Sequence, residues 1–305
     1  RQIPVVTILE PNALYVIYVL AILLTAPVST LINAAMMSSF SEPELKRLLA
    51  LRSALGAVST VIGQVVSVSV LAMIQGIEKY VYLYILAMGI GLASTLILAL
   101  ASIGRVSFEE VSGESVESAK SSTVYVFLST SLAVGAILGA VWSPYMIIEL
   151  GAPEYLAASI GLAQTLTSIG ASFFWVSRSY RDYRFALTCM TLTPVLIALI
   201  RVPLLHLAIA CLYAFANTGV NLLASFTFAE ASRKTGAFKA SILLSSATML
   251  SQVIGLSAAY ALSAYGALAL FASAMAFAAL SAVIAFLAIP EVALVPSHLS
   301  LMYAK

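Results

Sequence analysis

The sequence contains few charged residues, and none of them lies in the middle of a long apolar stretch. Only 9% of the 305 residues are Asp, Glu, Lys or Arg, whereas 62% are hydrophobic. Soluble globular proteins carry about 25% charged residues, so this chain has too few to cover a surface that faces water. Ionisable residues inside a membrane are costly and usually functional, and their absence here leaves no candidate for a proton relay at mid-membrane. The composition excludes a soluble globular protein.

Motifs that carry chemistry are also missing. The sequence has no Gly-Lys loop that would cradle a phosphate, no cluster of metal ligands and no Ser/His/Asp set. Its two cysteines, Cys189 and Cys211, lie inside apolar stretches without motif spacing, so we expect buried thiols rather than a disulfide or a metal site. The basic segments are too short to bind nucleic acid. We therefore expect no enzyme activity, no cofactor, no metal and no nucleic-acid partner.

The chain does have nine long apolar stretches between its charged segments. Most of them reach the roughly 20 residues that a membrane-spanning helix needs. The pattern predicts an all-α, polytopic membrane protein with nine visible transmembrane helices. The stretches are 13–39, 49–74, 80–104, 123–148, 155–177, 185–200, 204–229, 240–262 and 265–289.

Lysine and arginine lie mostly on one side of the predicted spans. Twelve of the 15 fall in one set of connections and three in the opposite set. Basic residues concentrate in the cytoplasmic connections of membrane proteins. We therefore expect a multi-pass protein of the cell membrane, surrounded by the lipid bilayer, with a cytoplasmic C-terminus and an outer N-terminus.

Two segments of the chain are similar to each other. Segment 44–70 aligns without gaps on segment 236–262, which pairs Gly63 with Gly255. Each copy is followed by a short outer turn and a returning helix, so topology repeats along with sequence, as in many secondary transporters. Glycines such as Gly63 are expected to permit close contact between helices.

The longest connection divides the chain into two parts. Segment 105–122 is acidic and rich in Ser, which predicts a flexible cytoplasmic linker. It separates an incomplete N-terminal bundle at 1–104 from a six-helix bundle at 123–305. Because the first bundle matches only the last three helices of the second, we expect three further helices before Arg1.

Two segments resemble signatures of the major facilitator superfamily. Segment 38–64, SSFSEPELKRLLALRSALGAVSTVIGQ, is similar to the family's loop into its fifth helix, where a Pro-Glu and basic segment precedes a helix of small residues. Segment 176–185, VSRSYRDYRF, is similar to its second basic loop, although the expected glycines are absent. The resemblance implies twelve helices in two six-helix halves, of which this chain shows helices four to twelve. It also implies a cytoplasmic basic loop formed by Arg178, Arg181, Asp182 and Arg184.

Six Asn and Gln side chains lie inside the predicted spans. On the resemblance, they fall on helices that line the family's central cavity, and none falls on its peripheral sixth, ninth and twelfth helices. Amides donate and accept hydrogen bonds without burying a charge, so we predict that they line a substrate cavity. The alternative is that they join helices, an interaction measured at about 0.6 kcal/mol. The six are Asn33, Gln64, Gln164, Asn217, Asn221 and Gln252.

Two aromatic residues lie near the predicted outer end of the fourth visible span. Trp142 and Tyr145, which flank Pro144 and Ser143, are a candidate outer gate. The alternative is an interfacial aromatic anchor. His206, near the outer start of a later span, is interpreted as a structural or interfacial residue rather than a proton carrier.

Taken together, these features predict a secondary transporter that moves a small molecule by alternating access. The weak polarity of the visible cavity favours an apolar or weakly polar substrate. Export is one direction of transport that fits such a substrate, and H⁺ and Na⁺ are the candidate coupling ions. Gly63-Gln64 stands where proton antiporters of the family often have Gly-Pro, which argues against a drug–proton antiporter. The alternative function is a non-transporting protein of nine helices, receptor-like or a scaffold, that forms dimers through an exposed face.

Overall fold

A computed structural model describes most of the chain from residue 42 onwards. The described residues are 16, 20, 42–76, 78–100, 118–235, 237–290 and 292–294. This part of the chain consists of helices and short connections and contains no strand. The all-α class predicted from the apolar stretches is confirmed.

Eight α-helices follow one another in the described part, together with one π-helical turn and two short 3₁₀ turns. The π turn is Tyr145–Glu149, and the 3₁₀ turns are Tyr180–Asp182 and Ser263–Tyr265. The α-helices are α1 (Glu42–Met73), α2 (Glu78–Leu100), α3 (Ser118–Pro144), α4 (Glu154–Val176), α5 (Tyr183–Leu199), α6 (Leu205–Thr235), α7 (Ala237–Leu262) and α8 (Ala267–Ala288).

All eight helices are long and apolar enough to cross a membrane. They correspond to eight of the nine predicted stretches, and the protein therefore has the character of a multi-pass membrane protein. The remaining stretch, 13–39, lies outside the described residues apart from residues 16 and 20. Most of the predicted linker 105–122 also lies outside them, but residues 118–122 already belong to α3.

Helix α3 is the centre of a bundle formed by α3 to α8. It packs along α7 and α8 and also contacts α6, while α6 packs against α4 and α5, and α5 packs against α8. In its apolar segment 61% of the residues are buried, the largest share among the eight helices. Phe127, Ile137 and Leu138, for example, are at most 1% exposed. The hydrophobic core of the described part therefore lies around α3.

Helices α1 and α2 are attached to this bundle at its edge. Helix α1 packs mainly on α4, and α2 makes few contacts, chiefly with α1. None of the residues in the apolar segments of α1 and α2 is buried. Gly76, with φ +83°, forms the sharp connection between the two helices in a conformation that favours glycine.

Gly255 brings helices α3 and α7 into close contact, whereas its repeat partner Gly63 makes no such contact among the described residues. A Cβ atom at Gly255 of α7 would lie 2.7 Å from the carbonyl oxygen of Ala133 and 2.6 Å from the Cβ of Ala136, both on α3. At Gly63, the repeat partner of Gly255, the described residues leave open space within 4 Å. The close contact expected at Gly63 is therefore not made within the described part of the chain.

Candidate binding groove between helices α3 and α7

An open groove of about 550 Å³ lies between α3 and α7. This volume is typical of sites that bind small molecules, which measure about 300–1,000 Å³. Each helix supplies residues three or four positions apart, which lie on one face of an α-helix. The lining is Leu132, Gly135, Ala136, Gly139 and Ala140 from α3, and Thr248, Ser251, Gln252 and Leu256 from α7.

The polar groups of the groove come from α7. The Thr248 hydroxyl donates a hydrogen bond to the carbonyl oxygen of Leu244 (2.9 Å), and the Ser251 hydroxyl donates to that of Thr248 (2.7 Å). Gln252 is half-buried, and its amide has no hydrogen-bond partner among the described residues. Among the described lining groups, the Gln252 amide therefore keeps its full capacity to donate and accept hydrogen bonds.

Close packing holds the walls of the groove. Gly255 lies next to lining residue Leu256 and places the α7 backbone against Ala133 and Ala136 of α3. At Gly135, another lining residue, a Cβ atom would lie 3.0 Å from the hydroxyl oxygen of Tyr213 on α6. The small side chains therefore leave room for the groove, while the helix backbones beside it remain closely packed.

The other predicted cavity amides do not line this groove. Gln64 of α1 lies against α4, where a Cβ atom at Gly161 would come within 2.9 Å of both Nε2 and Oε1 of Gln64. Gln164, Asn217 and Asn221 are half-buried on α4 and α6. Of the five predicted amides in the described part of the chain, one, Gln252, is among the residues that line the groove. A single cavity shared by all of them stays a prediction.

Asn33, the sixth predicted amide, lies outside the described residues.

Trp142 and Tyr145 are buried inside the bundle, each 3% exposed, and neither lines the groove. The indole Nε1–H of Trp142 donates to Nδ1 of His206 (2.9 Å), and Nε2 of His206 lies 2.9 Å from the carbonyl oxygen of Ile200. An indole nitrogen can only donate, so Nδ1 of His206 is the acceptor and Nε2 carries the proton. Tyr145 packs edge-on against Phe271, with ring centroids 5.0 Å apart.

His206 is fully buried, and both of its ring nitrogens are occupied. A second proton on Nδ1 would remove its bond from Trp142 and place an unpaired charge inside the bundle, which is costly. The geometry fits the structural role that the sequence suggested for His206. Gate and anchor remain two interpretations of Trp142 and Tyr145.

The predicted basic loop is held by contacts within the α3–α8 bundle. The Asp182 carboxylate accepts hydrogen bonds from the backbone N–H (3.1 Å) and hydroxyl (3.0 Å) of Ser179, and Arg178 lies 4.3 Å from the ring centroid of Phe174. Arg181 is exposed. These contacts order the turn between α4 and α5.

Arg184 has a role that its position in a basic loop did not indicate. Its Nε donates to the carbonyl oxygen of Val292 (2.8 Å), and its second guanidinium nitrogen donates to that of Ala293. The Arg184 side chain thus joins the start of α5 to the segment that follows α8.

An ion pair joins α2 to α4. Lys79, the second residue of α2, pairs through Nζ with the carboxylate of Glu154, the first residue of α4. Lys79 also lies 5.3 Å from the ring centroid of Tyr80. The side chain of Lys79 is 13% exposed and that of Glu154 is 29% exposed, so water screens the pair only in part. Nothing in the spacing of the sequence links positions so far apart, so this pair could not be predicted.

The described residues contain no group of three or more His, Cys, Asp or Glu side chains that could hold a metal ion. Comparisons with protein-family models, with curated proteins and with solved structures found no match for this chain.

Proposed function

We propose that the protein is a secondary transporter of the major facilitator type, located in the cell membrane with its C-terminus in the cytoplasm. It would move a small molecule by alternating access, with the α3–α7 groove as part of the substrate site. The observation that carries this proposal is the groove itself. A cavity with an unpaired amide, Gln252, lies between two helices that are apolar enough to span a membrane.

The attachment of α1 and α2 supports a rocking mechanism. Residues 42–100 meet the α3–α8 bundle mainly along the contact of α1 with α4. Two polar features mark this side of the bundle, the Gln64 amide against Gly161 and the ion pair of Lys79 with Glu154. Among the described residues, this contact is made mainly by one helix pair, which lets one group of helices turn against the other without repacking the core around α3.

The lining of the groove supports a weakly polar substrate. None of the nine described lining residues is ionisable, and most of them are Leu, Ala or Gly. A charged substrate would lose its hydration without gaining a partner of opposite charge at the groove. H⁺ and Na⁺ remain the candidate coupling ions, and export remains one direction that fits.

Spin-label distances test alternating access without a known substrate. One pair, Leu100→Cys with Phe185→Cys, joins the predicted inner ends of α2 and α5, and another, Tyr82→Cys with Leu204→Cys, joins the predicted outer ends of α2 and α6. All four side chains are exposed. Alternating access requires the two distances to change in opposite directions as pH or Na⁺ is varied. If the inner distance and the outer distance both stay unchanged, the proposal is refuted.

This measurement needs a cysteine-free starting variant and a control pair of labels within one bundle. Cys189 and Cys211 are the two native cysteines, and both are replaced by Ala before the labels are introduced. The pair Phe185→Cys with Leu287→Cys lies inside the α3–α8 bundle, at the ends of α5 and α8 that face the same side. Because these helices pack together, this distance should stay constant while the others change.

One observation favours the second candidate, a non-transporting membrane protein that is receptor-like or a scaffold and forms dimers. The apolar segments of α1 and α2 have no buried residues, and no described residue outside their own helix comes within 4 Å of a Cβ atom placed at Gly56 or Gly63. Such faces suit contact with further helices. Cross-linking into a specific dimer, together with fixed distances at both ends, would favour this candidate over transport.

A further inference from the structure

We infer that the α3–α7 groove selects neutral ligands that combine an apolar body with a hydrogen-bond donor, such as an N–H or O–H group. This inference rests on the proposed function in taking the groove as the substrate site. It goes further by assigning a chemical class to the ligand from the hydrogen bonds that the lining residues have already made.

The groove has more acceptors than donors. The hydroxyl protons of Thr248 and Ser251 are used in bonds to the carbonyl oxygens of Leu244 and Thr248. Their oxygens keep acceptor lone pairs but have no proton left to donate. Gln252 adds one carbonyl oxygen and one NH₂ group. Ser251 is fully buried, so a ligand meets two acceptor oxygens, those of the Thr248 hydroxyl and the Gln252 amide, and a single donor group.

The remaining lining residues exclude charge and favour apolar contact. The side chains of four lining residues offer only hydrocarbon, and the described part of the lining contains no ionisable side chain. The four are Leu132, Ala136, Ala140 and Leu256. A cation would be attracted by acceptor oxygens, but it would have no anionic partner in the lining to offset its lost hydration. A neutral donor gains the hydrogen bond without that cost. The volume of about 550 Å³ is large enough for one or two fused rings.

Three bicyclic probes of similar size separate these properties. Indole carries an N–H donor, 1-methylindole has the donor blocked by a methyl group, and quinoline has an acceptor nitrogen and is neutral at pH 8. Saturation-transfer NMR titrations on the full chain in lipid nanodiscs, with empty nanodiscs as the blank, give a dissociation constant for each. Because one hydrogen bond contributes about 0.5–1.5 kcal/mol, indole should bind about two- to tenfold more tightly than either of the other probes.

Variants place the effect in the groove. Thr248→Val with Gln252→Leu removes both acceptor oxygens that a ligand can reach, and it should reduce indole affinity to that of 1-methylindole without changing 1-methylindole. Gln164→Leu is the matched control, because it removes a half-buried amide on α4 that does not line the groove. It should leave all three dissociation constants unchanged.

Several results would overturn the inference: no saturable indole binding, quinoline bound at least as tightly as indole, or a Thr248/Gln252 variant that retains the indole preference. Failure here and failure of the proposed function are distinguishable. Opposite distance changes at the two ends without a donor preference would overturn the ligand class alone. Donor-selective binding with fixed distances would leave the ligand class intact and refute transport.

Discussion

Replacing Gly255 by Ala tests the closest contact that shapes the groove. The new Cβ atom would lie 2.6 Å from the Cβ of Ala136 and 2.7 Å from the carbonyl oxygen of Ala133. Ordinary contact between carbon atoms occurs at about 3.5–4.0 Å, so α3 and α7 must separate by about 1 Å. A backbone oxygen and a methyl group cannot rotate out of the way. Overpacking of this kind costs about 1–3 kcal/mol.

Gly63→Ala is the matched control for this change. Gly63 occupies the equivalent repeat position on α1 and has open space around it among the described residues. Both substitutions gain the helix preference of Ala over Gly, about 1 kcal/mol, so the difference between the variants reports the contact alone. We expect Gly255→Ala to be less stable than Gly63→Ala by about 1–3 kcal/mol.

Apparent melting temperatures, measured in one detergent at one scan rate, provide the assay. At about 2–4 °C for each kcal/mol, Gly255→Ala should melt about 2–12 °C below Gly63→Ala. The substitution should also weaken indole binding, because the separation of α3 from α7 changes the groove. Equal melting temperatures for the two variants would show that the α7 backbone does not approach α3 at Gly255, and the described shape of the groove would be wrong.

Three further changes test the polar contacts. Trp142→Phe leaves Nδ1 of buried His206 without its donor and should cost about 1–3 kcal/mol, measured as a lower melting temperature than that of the unchanged protein. Lys79→Glu should lower the melting temperature because it places two carboxylates together. The double variant Lys79→Glu/Glu154→Lys, which swaps the two charges, should restore the melting temperature. Arg184→Gln should speed hydrogen exchange in the segment after α8; unchanged exchange would contradict the contact.

The helices of this protein were predictable because their signal is local. An apolar stretch of about 20 residues between charged segments is visible in the sequence without knowledge of any partner. The ends were less predictable, since they depend on hydrogen bonds rather than on hydropathy. Helix α3 begins at Ser118, in a polar segment that composition assigned to the linker, and α5 begins at Tyr183 after a 3₁₀ turn closed by Asp182.

The groove was only partly predictable, because it depends on contacts between residues that are far apart in the sequence. Sequence can place Gln252 inside a span, but the face that it shows to α3 depends on how two distant helices pack. Gln64, at a similar place in the repeat, lies instead against Gly161 of α4. The bond of Trp142 to His206 and the ion pair of Lys79 with Glu154 likewise join distant parts of the chain, and a single sequence carries no pattern that pairs such residues.

The contrast between the two repeat helices has a mechanical consequence for the proposed transport cycle. Helix α7 is fixed to α3 by backbone contact at Gly255, so the groove should keep its shape while the protein moves. Helix α1 meets the bundle mainly through α4, and the nearby link of Lys79 to Glu154 is an ion pair, which can break and reform far more readily than a packed core. Motion should therefore occur between residues 42–100 and the α3–α8 bundle. It would change the exposure of the groove to either side of the membrane rather than its lining, and neutralising Lys79 should shift the spin-label distances between α2 and the bundle while leaving those within the bundle unchanged.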